Sequence, residues 1–362
     1  ASVSRLECFY TCPYKHFLKY GLKISPRERA DILPYQTGQI IHAVLKRFFA
    51  RYDFFLQNFK NADKKQSGFF DLTDQIFDAV INSERFKYLK ESESAKKALA
   101  RLKRECAKML AELFDIMKNS DFSPYLLEAG FFADGAKGDR REKDDGVKLI
   151  CPKIQTDAGE VCLHGVIDRV DKWRDYISVV DYKTGNAELK LKHIYSGTKL
   201  QLYIYLYVAA KSTGLKPAAA YYLPISAAYR KEDKKNRYSY IGHVNKDLEV
   251  LRALENSFPD ENGVLPAKLD KHGEATGASV LADEDFKLLC QTAMDAAAHG
   301  IEEILAGNIE PRPVEEGCGH CDYKEICAFT GQNERKIPAI KIEELKELKS
   351  SGKISEGNRP PH

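Results

Sequence analysis

Two short runs constrain this chain more than anything else in it: His164-Gly165-Val166-Ile167-Asp168-Arg169 and, shortly after, Val180-Asp181-Tyr182-Lys183-Thr184-Gly185. Each sets an acidic residue among apolar and β-branched neighbours, the composition of a buried strand. Side chains two apart on a strand share a face, so Asp181 and Lys183 project together. A strand carrying Asp168 beside them would bring two carboxylates and one ammonium around a common point. Hard carboxylate oxygens suit Mg²⁺ or Mn²⁺. A nearby lysine orients an attacking water or offsets charge building on a phosphate. The pattern predicts a phosphodiester-cutting site.

Other residues stand in order around it. Gly38-Gln39-Ile40-Ile41-His42 opens an apolar-periodic stretch continuing through Val44, Leu45, Phe48 and Phe49, which puts His42 on a helix. Gln201 and Tyr205, four apart at the start of another helix, share a face. Each signal is weak alone. Asp-x-Lys occurs by chance in most chains of this length, a lone helix histidine is usually packed, Asp168 alone is compatible with a turn, and Asp171 is a competing carboxylate.

The cysteines form a second constellation. Cys318, Cys321 and Cys327 make a C-x₂-C-x₅-C group, and Cys12-Pro13 stands near the other end. Three clustered thiols are one ligand short of a tetrahedral zinc site or an iron–sulfur cubane. The spacing alone favours neither, and His320 or Cys8 is a further candidate donor. Nine cysteines is an odd number, and Cys106, Cys162 and Cys290 lie in apolar runs that predict core positions, so a disulfide framework is not expected.

The order His42, Asp168, Asp181-x-Lys183, Gln201-xxx-Tyr205 resembles the RecB-like branch of the PD-(D/E)xK nuclease superfamily. With the cysteines it resembles that branch's iron–sulfur members. Within them the chain is similar, over approximately residues 1–330, to the C-terminal nuclease domains of the AddB-type subunits of bacterial AddAB helicase–nucleases. Ser2-Val3-Ser4-Arg5-Leu6-Glu7 with Cys12-Pro13-Tyr14 and Phe17 looks like the opening helix of those domains. Ser4-x-x-Glu7 is also, by itself, a capping-box pattern.

The resemblance implies an α/β, restriction-endonuclease-like core: a central mixed sheet, flanking helices and a helical insertion. It implies metal ligation by His42, Asp168, Asp181 and the Tyr182 carbonyl, catalysis by Lys183, and support from Gln201 and Tyr205. It implies a 4Fe-4S cluster on Cys12, Cys318, Cys321 and Cys327, stapling the two ends of the fold and prone to loss on aerobic purification. The implied activity is Mg²⁺- or Mn²⁺-dependent exonucleolytic hydrolysis of single-stranded DNA in double-strand-break repair, alongside an AddA-like helicase subunit and an N-terminal helicase-like region. The shorter CRISPR-adaptation nucleases share the same plan; a nuclease-derived DNA-binding scaffold and a structural metal protein with an accidental Asp-x-Lys are the readings from other classes.

Composition agrees. A chain of 362 residues, 43% hydrophobic and 30% charged, has enough apolar material for one substantial core with appended helices. No run is long enough to span a membrane and none reads as a signal peptide. Free thiols beside a metal cluster fit a reducing cytoplasm. No G-x-x-x-x-G-K-[ST] phosphate loop occurs, so this chain does not drive unwinding by itself. The net charge of +3 says little about DNA. Two basic stretches, Lys96-Lys97 through Arg101, Lys103, Arg104 and Lys108, and Arg230-Lys231 through Lys234, Lys235 and Arg237, would track a phosphate backbone or simply be solvated.

The expected organisation is opening helices over 1–60 with Cys12 and His42, a helical insertion over 61–120, the nuclease core over 121–310, the cysteine group over 311–330 and a charged flexible tail over 331–362. The start at the opening helix suggests a domain excised from a longer chain. Helices are predicted over 2–20, 37–59, 71–118, from near Thr198, over 282–306 and briefly over 342–348. Strands are predicted within 122–132 (with Glu128 at the metal site or an edge), 149–183, 218–224 and 238–244. Residues 133–146 read as a charged loop, 226–239 as a polar insertion, and 171–175 as a hairpin turn.

Overall fold

The computed structural model describes residues 1–25, 34–64, 68–90, 92–133, 147–185, 187–225, 238–260, 263–319 and 321–351. The predicted loop over 133–146 and insertion over 226–239 thus fall almost wholly outside the described residues, as do His320 and the second basic stretch.

Helices α1 (Val3–Thr11), α2 (Pro13–His16), α3 (Pro34–Phe49), α4 (Tyr52–Phe59), α5 (Phe69–Ile81) and α6 (Glu93–Lys118) precede the sheet. Strands β1 (Ser123–Phe131), β2 (Lys153–Thr156), β3 (Gly159–Cys162), β4 (Gly165–Trp173) and β5 (Tyr176–Lys183) follow. Then come α7 (Leu191–Tyr195), α8 (Gln201–Thr213), β6 (Lys216–Pro224), β7 (Ile241–Asn245) and α9 (Leu248–Leu254). The short strands β8 (Lys268–Leu269), β9 (Ala275–Thr276) and β10 (Val280–Leu281) lead to α10 (Asp283–Leu305), α11 (Lys324–Cys327) and α12 (Ile342–Ser350).

Six strands make one mixed sheet in the order β1-β4-β5-β6-β7-β10. Pairing is antiparallel from β1 through β5, parallel between β5 and β6, antiparallel to β7 and parallel to β10. β4 and β5 are buried over nearly their whole length, as strands covered on both faces must be. One face carries α3 to α6 and α9 with Val180, Tyr182, Tyr221 and Leu223. The other carries α1, α8 and α10 with Ile177, Val179, Ala220 and Tyr222. Alternation along β5 therefore puts Asp181 and Lys183 on the α8 side. No helix among the described residues is long and apolar enough to cross a membrane.

Several expectations are corrected. The predicted helix over 2–20 breaks where Cys12 turns extended (φ −166°, ψ 121°) and Pro13 starts α2 at the position that tolerates a missing N–H. The stretch 37–59 divides into α3 and α4, and 71–118 into α5, a 3₁₀ turn and α6, whose N-cap is Ser92. Of 149–183 only β4 and β5 are central; β2 and β3 form a separate two-stranded hairpin. The turn before β5 is Arg174-Asp175, not 171–175. Asp171 is a buried strand residue paired with Arg169, on the opposite face from Asp168, so it does not compete for the site.

Candidate active site

The β4–β5 register sets Arg169 opposite Val180, so Asp168 and Asp181 are the next residues along the two strands. On the other side of β4, Leu127 faces Arg169 and Ala129 faces Ile167, which leaves Glu128 beside Asp168. Three neighbouring strands thus offer three carboxylates at one level. Like charges directly across strands destabilise a sheet, so this array calls for a positive charge.

One comes from α3. His42 Nδ1 stands 3.3 Å from Asp168 Oδ1 and 3.5 Å from Glu128 Oε1. A Cβ on Gly38 would already touch Thr184, 3.7 Å away, so α3 runs close past the end of β5 and holds His42 over the strands. Ligand atoms of His42, Glu128 and Asp168 all lie within 4.8 Å of one another. Asp168 is fixed further by Tyr182, whose backbone N–H donates to Oδ2 at 2.8 Å.

The second positive charge is Lys183. Its ammonium pairs with Asp181 Oδ2, donates to Gln201 Oε1 at 2.9 Å and lies 4.9 Å from the centre of the Tyr222 ring. Gln201 Nε2 donates to the buried Tyr205 hydroxyl at 3.2 Å, which sets the amide so that its oxygen faces the lysine.

Burial, then the charge of Asp168, pushes the Asp181 carboxyl up to about 7 against the pull of Lys183 and His42. Burial disfavours a charged His42, but hydrogen bonds and charge from Asp168 and Glu128 outweigh it and raise the ring to about 10. Asp181 Oδ2 is buried and faces the Lys183 ammonium, and Glu128 Oε1 is buried and faces His42 Nδ1. A cluster of carboxylate oxygens with open lone pairs beside a histidine is the donor set that fits a hard divalent cation.

Tyr182 itself turns to the opposite face. There Arg169, fully buried, donates from Nη1 to the Tyr182 hydroxyl at 3.1 Å and from Nε to Asp171 Oδ2 at 3.1 Å, with its guanidinium 4.4 Å from the Phe49 ring centre. This pair anchors the strands that carry the site.

The PD-(D/E)XK nuclease superfamily matches residues 1–328 of the chain. The chain belongs to that superfamily. It is similar to proteins named as the B subunits of ATP-dependent helicase/deoxyribonucleases: 29% identical over 378 residues in Alkaliphilus oremlandii (96% of this chain, 32% of the relative) and 30% over 367 residues in Clostridioides difficile (91% and 30%). In Clostridium novyi the figures are 29% over 363 residues, 91% and 30%. The chain spans about a third of the length of these relatives.

His42 stands by Asp168 and Lys183 by Asp181 on the neighbouring strand, with Gln201 and Tyr205 behind Lys183. Glu128 stands with His42 and Asp168 in a group whose ligand atoms could hold a metal ion, rather than serving only as an edge residue. It has a left-handed backbone (φ 49°) inside a strand, a conformation rarely adopted by non-glycine residues that no sequence pattern announces. The capping-box pattern predicts that Glu7 closes the start of its own helix. Instead α1 starts at Val3 without a side-chain cap, and the Glu7 carboxylate reaches α8.

The four candidate ligand cysteines also converge. Cys12, Cys318, Cys321 and Cys327 line one cavity with Pro311 and Pro313. Burial raises the Cys318 thiol, and Cys12, Cys321 and Cys327 beside it add to the rise. Cys8 is close to Cys12 and Cys321. Cys106 and Cys290 are core residues as expected, but Cys162 is only half-buried, at the end of β3 near Cys151. On α6, Lys97, Arg101, Arg104 and Lys108 are exposed, whereas Lys96 pairs with Glu93 and Lys103 with Asp74 and Asp78.

Proposed function

We propose that the protein is a Mg²⁺- or Mn²⁺-dependent deoxyribonuclease, the nuclease domain of an AddAB-type helicase–nuclease, degrading single-stranded DNA from an end during double-strand-break repair. The observation that carries this reading is the level array of Glu128, Asp168 and Asp181, roofed by His42 and flanked on the same face by Lys183. Relatives named as subunits of a helicase/deoxyribonuclease support a helicase partner, AddA-like, and a helicase-like region of the same polypeptide.

His42, Glu128, Asp168, Asp181 and the Tyr182 carbonyl would hold the ion. Bound there, a divalent ion supplies Lewis-acid polarisation of the phosphodiester and a water acidic enough to attack at neutral pH. The chain's own residues do the rest. Asp168, oriented by the Tyr182 N–H, keeps one oxygen turned to the site. Lys183, held by Gln201, keeps its ammonium where it orients the incoming water and offsets charge on the phosphate oxygens. Tyr205 fixes the Gln201 amide.

The cysteine group supports an iron–sulfur cluster. Cys12, Cys318, Cys321 and Cys327 line one cavity and would supply its four thiolate ligands.

The test is cleavage of end-labelled single- and double-stranded DNA with Mg²⁺, Mn²⁺ or EDTA. Cutting should need the ion, and Lys183→Ala should lose about 10²–10⁴-fold in rate while remaining folded. Cutting in EDTA, or an unimpaired Lys183→Ala, would defeat the assignment; a folded wild type that binds DNA without cutting it would point to a scaffold.

A further inference from the structure

Helix α8 is apolar nearly all round, with Leu202, Tyr203, Ile204, Tyr205, Leu206, Val208 and Ala209 buried. Its first N–H groups have no partner within the helix, and residue 200, at the N-cap position, is a leucine with no cap to give. The missing acceptor arrives from far along the chain. Glu7 Oε1 accepts from Leu200 N–H at 2.7 Å and from Gln201 N–H at 2.9 Å. A carboxylate is the best acceptor for this place, because it also meets the positive end of the helix dipole.

The residue so held is the one that orients the lysine. Gln201 takes the Lys183 hydrogen bond on Oε1 and gives one to Tyr205 from Nε2. We propose that Glu7 is a positioning residue for the catalytic lysine: it fixes the backbone at Gln201, and Gln201 fixes the ammonium of Lys183. The inference rests on the nuclease reading above. A carboxylate bonded directly to the Gln201 N–H controls where the side chain of that residue starts, and small displacements of a catalytic group cost rate steeply.

α1, which carries Glu7, is itself clamped. Tyr10 donates from its hydroxyl to the Ala296 carbonyl at 2.6 Å, and the Thr11 carbonyl accepts from Val314 N–H at 2.9 Å. Glu7 therefore projects from a helix tied to α10 and to the segment at Val314.

The experiment is a double-mutant cycle on metal-loaded protein, comparing wild type, Glu7→Ala, Gln201→Ala and the double variant in single-turnover cleavage of end-labelled single-stranded DNA. Glu7→Ala should lower the rate about ten- to a hundredfold with little change in DNA affinity. It should add almost nothing in the Gln201→Ala background, because both act along one line. Glu7→Gln keeps an acceptor oxygen and should restore most of the rate. Hydrogen exchange gives a readout independent of activity: the amides of Leu200 and Gln201 should lose protection in Glu7→Ala while the sheet keeps its own.

Multiplicative losses in the double variant, or unchanged protection at Leu200 and Gln201, would overturn the inference and leave the nuclease reading standing. A wild type inert with every ion would overturn that reading and take this one with it.

Discussion

At the residue scale the site is an electrostatic compromise. Three carboxylates share the end of a sheet where Asp168 and Asp181 are almost fully shielded from water. Without a metal, protons make up the missing charge: one on His42, raised to about 10, and below about 7 one on Asp181. A divalent ion needs both lone pairs, so its uptake must expel those protons. At pH 8, where Asp181 is ionised and His42 is not yet neutral, binding should release about one proton; at pH 6, about two. Affinity should accordingly weaken as pH falls. Calorimetric titration of Mn²⁺ in buffers of different ionisation enthalpy measures the release directly, and equal release at the two pH values would refute the arrangement. The sign for folding runs the other way. An acid whose folded pKa is raised favours the folded state least above that pKa, so the metal-free protein should lose stability as pH climbs from about 4 to about 7.

At the element scale β4 serves two opposed faces. Asp168 looks to the site, while Arg169 and Asp171 form a buried pair against Tyr182, Phe49 and Tyr240. Removing one partner strands a charge, so Asp171→Ala should cost about 3–5 kcal/mol in urea unfolding, against less than about 1 kcal/mol for Lys103→Ala at its half-exposed pairs. Similar losses for the two would mean that Arg169 finds another partner. The alternation that separates these faces was legible in the sequence: apolar runs marked both strands, and the two-residue spacing of Asp181 and Lys183 told their common face. The rest depended on tertiary partners. Nothing local distinguishes Asp171 in a strand from an aspartate in a turn until Arg169 is seen beside it. Ser4-x-x-Glu7 matches a local cap, yet Glu7 serves a helix far along the chain, because a pattern names the acceptor and not its donor. Glu128 stands at the site through a backbone conformation that its residue type does not encode. The helical insertion was legible as amphipathic but not as two helices, α5 and α6, closed by aromatic packing between them. Phe69 sits 5.4 Å from Phe55 and 5.5 Å from Phe114, ring centre to ring centre. Phe69→Ala should cost about 3–5 kcal/mol, read as a lower urea midpoint with an unchanged slope.

At the scale of the whole molecule the two ends of the described chain meet on the side of the sheet that presents Lys183. The Tyr323 hydroxyl donates to the Ile24 carbonyl at 2.8 Å, Val314 N–H to the Thr11 carbonyl, and the Arg335 guanidinium to the Tyr10 carbonyl. Each is a single hydrogen bond, contributing about 1 kcal/mol, and together they set a register rather than a lock. The four cysteines stand where a lock would act, with Cys12 at the break between α1 and α2 and the other three beyond α10. A cluster joining them would close a loop that takes in most of the chain, and a cross-link of that reach is worth about 5–6 kcal/mol by chain entropy. The cysteine variants separate this from ordinary packing. In iron-loaded protein, Cys12→Ala and Cys321→Ala should each lower stability, and the double variant should be no worse than Cys12→Ala alone, since one broken ligand set cannot be broken twice. After chelation, wild type and Cys321→Ala should melt alike, because the half-exposed Cys321 thiol contributes little packing of its own. Cys290→Ala, a core change, should keep its full cost in both states. If Cys321→Ala stays destabilised in chelated protein, the sulfur acts by packing and the two ends are held by their hydrogen bonds alone.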